Sequence, residues 1–149
     1  MIQILSFIIL TLVVTAASIT NADNKVRAEL ISSTQQVVPG TNVWLGLSFD
    51  IEDGWNTYWK NAGETGLPPD IVLSDGFNEF KPEIQFPLPS SKLFGNDTNL
   101  LTYGYVDKVI HPFQISVPVD IQGKWTLTAD VNWLVCKDIC IPERQSISL

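Results

Sequence analysis

Apolar and polar residues alternate strictly along one stretch of the chain, where Trp125, Leu127, Ala129, Val131 and Trp133 are separated by Thr126, Thr128, Asp130 and Asn132. A period of two marks a strand with one buried face, because successive side chains of an extended backbone point to opposite sides. The same pattern puts Val43, Leu45, Leu47 and Phe49 on one face, with Trp44, Gly46 and Ser48 on the other. Shorter runs predict strands at residues 26–32, around Tyr58, and at 71–73, 84–86, 109–117 and 146–149. Turn chemistry separates them: Pro39-Gly40, Asp53-Gly54, the stretch from Gly63 to Pro69, Asp75-Gly76, Pro87 to Pro89, Gly95-Asn96 and Gln122-Gly123. Pro112 and Pro118 flank the strand around Phe113 and remove ladder donors, which predicts an edge or bulged strand. Seven or eight short strands with such punctuation predict an all-β fold, an immunoglobulin-like antiparallel β-sandwich of two packed sheets.

The amino terminus breaks this pattern. Ile4 to Val14 is apolar except for Ser6 and Thr11, and small polar residues follow it up to Asp23. A membrane-spanning helix needs about 20 apolar residues, roughly twice this run, so the segment reads as a signal peptide. Thr20 and Ala22 place small residues at the minus-three and minus-one positions, which predicts cleavage after Ala22, with Ala17 as the second choice. Residues 1–22 are then the signal peptide and 23–149 one exported domain, working where paired cysteines persist as disulfides.

With 45% hydrophobic and 17% charged residues, the chain is neither a disordered tail nor a collagen-like fibre. A net charge of −7, with Arg27 and Arg144 the only arginines and no basic run, gives no footprint for nucleic acid.

Cys136 and Cys140 are the only cysteines, in the stretch Trp133-Leu-Val-Cys-Lys-Asp-Ile-Cys-Ile-Pro142. On a continuous strand, residues four apart are about 13 Å from each other, whereas a disulfide needs Cα atoms about 4.4 to 6.8 Å apart. A bond therefore requires a turn at Lys137 to Ile139. The alternation ends near Trp133, as at a strand leaving its ladder. A packing disulfide is one reading of the pair, and the chain would then be a non-enzymatic β-sandwich binding or adhesion module with a structural bridge. In the chain-entropy model, however, a loop of about five residues contributes roughly 2 kcal/mol, against more than about 4 for a bridge closing about 60 residues between sheets. Closely spaced cysteines at a loop suit reversible chemistry better, since a short or strained ring is more readily reduced. Metal binding is a third reading. Two thiolates leave a zinc site two ligands short, and the single histidine, His111, has no companion and reads as a surface or edge residue.

The segment from Trp133 to Pro142 resembles the cysteine segment of the N-terminal periplasmic domains of the DsbD and ScsB family of thiol:disulfide interchange proteins. Two other stretches agree, in the family's order. One is Gly54-Trp55-Asn56-Thr57-Tyr58-Trp59-Lys60-Asn61-Ala62-Gly63 with Gly66-Leu67-Pro68-Pro69, and the other is Tyr103-Gly104-Tyr105. The DsbD branch spaces its cysteines more widely, so the chain looks closer to ScsB-type relatives. The resemblance implies an immunoglobulin-like domain that takes electrons from a membrane-embedded partner domain and passes them to periplasmic thioredoxin-fold proteins. It casts Cys140 as the attacking thiol and Cys136 as the resolving thiol, with no cofactor beyond the disulfide itself and no metal. Lys137 favours a thiolate and Asp138 opposes it. In this family the domain usually continues into a membrane domain and a thioredoxin-like domain, so the chain is either a fragment or works with separate partners.

Large aromatics are usually buried, and Trp55, Tyr58 and Trp59 read first as packing residues. The functional alternative is that Tyr58, Trp59, Tyr103 and Tyr105 shield the cysteine pair or meet its partner. Family domains use a mobile cap loop for this, and residues 101–105 are its nearest match here. Lys60 reads as a solvated strand-end charge. Asn96-Asp97-Thr98 has the form of a glycosylation sequon, which arises often by chance.

Overall fold

The computed structural model describes residues 24–94 and 100–149. The predicted signal peptide and the Asn96 sequon lie outside the described residues. Ten strands and no helix occur among the described residues: β1 (Val26–Ser32), β2 (Asn42–Ile51), β3 (Thr57–Gly63), β4 (Asp70–Ser74), β5 (Glu79–Phe80), β6 (Ser90–Phe94), β7 (Leu100–Tyr105), β8 (Lys108–Ser116), β9 (Thr128–Cys136) and β10 (Cys140–Ser148). They form three antiparallel sheets, in the orders β1-β2-β8, β10-β9-β4-β5 and β3-β7-β6.

The first two sheets make the sandwich, and the period-two pattern builds it. Val43, Leu45, Leu47, Phe49 and Ile51 of β2 are buried together with Val26, Ala28 and Leu30 of β1. Opposite them lie Ile71 and Leu73 of β4 and Ala129, Val131, Trp133 and Val135 of β9. Trp133 meets Phe49 at 5.0 Å between ring centroids, and its Nε1 donates to Glu143 Oε2 at 3.0 Å. That carboxylate also accepts the backbone N–H groups of Lys25 (2.7 Å) and Val26 (3.2 Å), and Gln145 Oε1 accepts from Ala28 N–H (3.3 Å). Side chains of β10 thus satisfy donors on the edge of β1 and stitch the two sheets along one side, an edge that would otherwise stay open for pairing.

Several expectations change. Residues 84–86 form no strand. Pro82, Pro87 and Pro89 strip donors from this stretch, and only the Gln85 N–H reaches across, to Pro112 O at 2.7 Å. β5, β6 and β7 carry no clear alternation and were not expected as strands. β9 begins at Thr128, although Leu127 exchanges both backbone hydrogen bonds with Leu149 at 2.9 Å, and it runs on past Trp133 to Cys136. β8 is an edge strand of its sheet, as Pro112 predicts. His111 is neither at the surface nor exposed at an edge: it is fully buried, on the inward phase of β8 between Val109 and Phe113. Its ring meets those of Phe49, Tyr105 and Phe86 at 5.7, 5.2 and 5.0 Å. Burial pushes its pKa down to about 4, partly opposed by the backbone of Gln85.

Candidate functional site

Lys137, Asp138 and Ile139 turn the chain between β9 and β10, and the hairpin register sets Cys140 directly opposite Cys136. The turn expected from the disulfide's reach is therefore the tip of a hairpin. The cysteines are bonded, with Cα atoms 4.1 Å apart. Their surroundings differ sharply. Cys136 is wholly buried, packed with Tyr58, Ala62 and Leu134, while Cys140 and the three turn residues are exposed. Cys136 is also held by its backbone, since it exchanges two hydrogen bonds of 2.9 Å with Asn56, just ahead of β3. This bridge is where the third sheet attaches to the end of the sandwich. Lys137 lays its side chain across Gly54, where a Cβ would stand 2.9 Å from Nζ; the positive φ of 80° there also favours glycine.

The alternation of β3 divides the aromatic candidates. Tyr58 faces the cysteines: it is fully buried, and its hydroxyl is 3.7 Å from Cys140 Sγ. Burial raises the Tyr58 phenol above its ordinary pKa, against smaller opposing contributions from Thr65 and Asn56. Neither polar atom of the buried Asn56 amide makes a hydrogen bond of good geometry. Trp59 and Tyr103, on the other phase, pair edge to face at 6.2 Å, with Lys60 Nζ 5.5 Å from the Trp59 ring centre. Tyr105 belongs to the main core beside His111. Its hydroxyl donates to Pro87 O at 2.8 Å, and burial pushes its pKa up to about 12. Trp55 packs at the rim of the same core, under Lys25 Nζ at 5.9 Å. Residues 101–105, matched in sequence to a cap loop, fall within β7, the middle strand of its sheet.

The segment that covers Tyr58 is instead the one from Gly63 to Pro69. Gly66 packs against its ring, and Thr65 Oγ1 is 2.8 Å from Thr102 Oγ1. Gly66 was legible as part of a motif, but its partner in the structure was not. Thr65 and the buried Thr102 carry no sequence signal that separates them from the other threonines of the chain.

Among the described residues no cluster of three or more His, Cys, Asp or Glu side chains is arranged to hold a metal ion. An open groove of about 750 Å³, lined by Val37, Leu45, Ile121, Trp125 and Leu149 among others, lies at the far end of the β9–β10 hairpin from the cysteines. The disulfide lies at the hairpin tip, away from this groove, with Cys140 exposed there.

An immunoglobulin-like sandwich bearing one disulfide, with one cysteine exposed and the other buried, defines a thiol:disulfide exchange module. Residues 27–149 match the family described as thiol:disulfide interchange protein DsbD, N-terminal, and the chain belongs to that family. The N-terminal periplasmic domain of ScsB from Proteus mirabilis is similar in structure, with 26% identity and a TM-score of 0.63 over 87% of this chain and 48% of that one. This chain thus spans about half the length of that structure. The reduced DsbD N-terminal domain of Neisseria meningitidis also matches, at 13% identity and a TM-score of 0.36 over 82% of each chain. A search of curated proteins gives no match.

Proposed function

We propose that the domain is a periplasmic electron relay, taking two electrons from the dithiol of a membrane-embedded reductase domain and delivering them to thioredoxin-fold proteins. The observation that carries this reading is the inequality of the two sulfurs, Cys140 exposed and Cys136 buried. A thiolate of the membrane partner attacks Cys140 Sγ; the Cys136–Cys140 bond breaks and its electron pair leaves on Cys136. The partner's second thiolate then attacks its own sulfur in the mixed disulfide and releases Cys140 as a thiolate, leaving the partner oxidised. In the second half, Cys140 attacks the target's disulfide and expels one target thiolate. Cys136 then attacks Cys140 Sγ, restoring the internal disulfide and releasing the reduced target. The disulfide is itself the two-electron carrier, and the cycle calls on neither metal nor organic cofactor.

Access supports this order of events, because an entering sulfur must approach in line with the bond it breaks, and Cys140 is the sulfur open to approach. Tyr58 suits the role of hydroxyl donor to the Cys140 thiolate, while Trp59, Tyr103 and Tyr105 suit support of the sheet behind it. The test is trapping. The Cys136→Ser variant, mixed with a thioredoxin-fold protein activated as a mixed disulfide, is expected to accumulate a covalent complex through Cys140, and Cys140→Ser to accumulate little. Equal trapping by both variants, or by neither, would contradict the assignment.

A further inference from the structure

Tyr58 is fully buried although its hydroxyl reaches an exposed sulfur, and the Gly63–Pro69 segment is what encloses it. A Cβ on Gly66 would stand 2.2 Å from Cε1 and 2.3 Å from both Cδ1 and Cζ of the Tyr58 ring. Gly66 also has a φ of 89°, so both the space and the backbone exclude other residues without rearrangement. The segment is tied down on its other side to β7. The Glu64 N–H donates to Leu101 O at 3.2 Å, Glu64 Oε2 accepts the Leu101 N–H at 3.0 Å, and the hydroxyls of Thr65 and Thr102 are 2.8 Å apart. Gly63 fits closely over the same Leu101 carbonyl, with a Cβ position only 2.2 Å from its oxygen. The ring therefore has a close wall on the loop side, and the Tyr58 hydroxyl lies 3.7 Å from Cys140 Sγ with Thr65 and Asn56 also beside it.

From this geometry we infer that the Gly63–Pro69 segment is a clasp for Tyr58, in which Thr65 and Gly66 are positioning residues that act on the Cys140 sulfur through Tyr58. The inference rests on the exchange reading for its use, since a clasped hydroxyl matters to Cys140 only when that sulfur becomes a thiolate. A hydroxyl held at hydrogen-bond distance stabilises the thiolate over the thiol; a hydroxyl free to swing away does so less. The clasp thus sets the acidity of Cys140 from a distance, by fixing Tyr58 and not by contributing charge.

The experiment is the pH profile of Cys140 alkylation by iodoacetamide in the reduced, full chain. Tyr58→Phe is expected to move the midpoint toward higher pH by about half to one pH unit, the loss of one hydrogen bond to a charged group. Thr65→Val is expected to move it in the same direction, Thr65→Ser to restore it, and Thr65→Val to add nothing in the Tyr58→Phe background. Gly66→Ala follows Thr65→Val if it folds; the threonine series carries the test if it does not. An unmoved profile for Thr65→Val, or an equal shift with Tyr58 already removed, would overturn the clasp. The readout uses a small alkylating agent and no protein partner. A failed trapping experiment with this pattern intact would defeat the relay and leave the clasp standing, and the converse would do the opposite.

Discussion

One disulfide joins two differently placed cysteines because the third sheet covers one strand of the hairpin tip and leaves the other open. Cys136 ends β9 on the phase of Asp130, Asn132 and Leu134, away from the sandwich core, and is buried because Tyr58 and Ala62 of β3 and the Asn56 bridge cover it; Cys140, its cross-strand partner on the same face, stays exposed. A small thiol reagent in water meets these two very differently. In the reduced protein, Cys140→Ser is expected to leave Cys136 alkylated more than about tenfold slower than Cys140 in Cys136→Ser, since a buried thiol reacts only through local opening. Thiol trapping over time measures both rates; equal rates would show that the burial does not govern reactivity. The turn that joins Cys136 to Cys140 was legible from their spacing, because no straight strand brings residues four apart within bonding distance. The placement of Tyr58 against the cysteines was half legible: its aromatic neighbourhood stood out, but only the phase of β3 separates it from Trp59.

At the scale of elements, the strongly alternating segments were readable and the irregular ones were not. β1, β4, β8 and β9 bury mainly one face, and β2 buries its apolar phase together with Gly46 and Ser48, so the hydrophobic effect writes their period into the sequence. β7 lies in the middle of a small three-stranded sheet, and its sequence reads Leu-Leu-Thr-Tyr-Gly-Tyr without alternation. A mobile cap was expected there, and a paired strand is found. Element-level stability depends on the stitch between β1 and β10. Glu143 accepts three N–H groups from Lys25, Val26 and Trp133, and Glu143→Ala leaves these donors without that acceptor. The expected cost is about 1–3 kcal/mol, read as a lower denaturation midpoint in urea with the slope unchanged. A change within error would show that water replaces the carboxylate at no cost.

Over the whole molecule, the fold separates what must be stable from what must react. The sandwich core holds the buried His111, and the third sheet with the hairpin tip holds the exchanging bond. His111 was misread in sequence because a lone histidine between Ile110 and Pro112 looks peripheral; the phase Val109, His111, Phe113, Ile115 was the signal that places it inside. Its folded pKa of about 4 lies below the usual value of 6.5, so the neutral ring is the form that folding favours. The corresponding stability is complete above about pH 6.5 and is lost as the pH falls toward 4, to a total of about 3 kcal/mol. Melting temperatures of the oxidised protein across this window are expected to fall with acid, and His111→Leu to flatten that fall. A slope unchanged by the substitution would assign it to other groups.

The central claim is that the Cys136–Cys140 bond is made to be broken and remade. Its most direct test is the equilibrium reduction potential of the pair, obtained by incubation in glutathione buffers followed by thiol trapping. A value between roughly −270 and −120 mV is predicted, the range in which a disulfide is reduced by one partner and reoxidised by another. A value below about −300 mV would mark a structural bridge and contradict the relay.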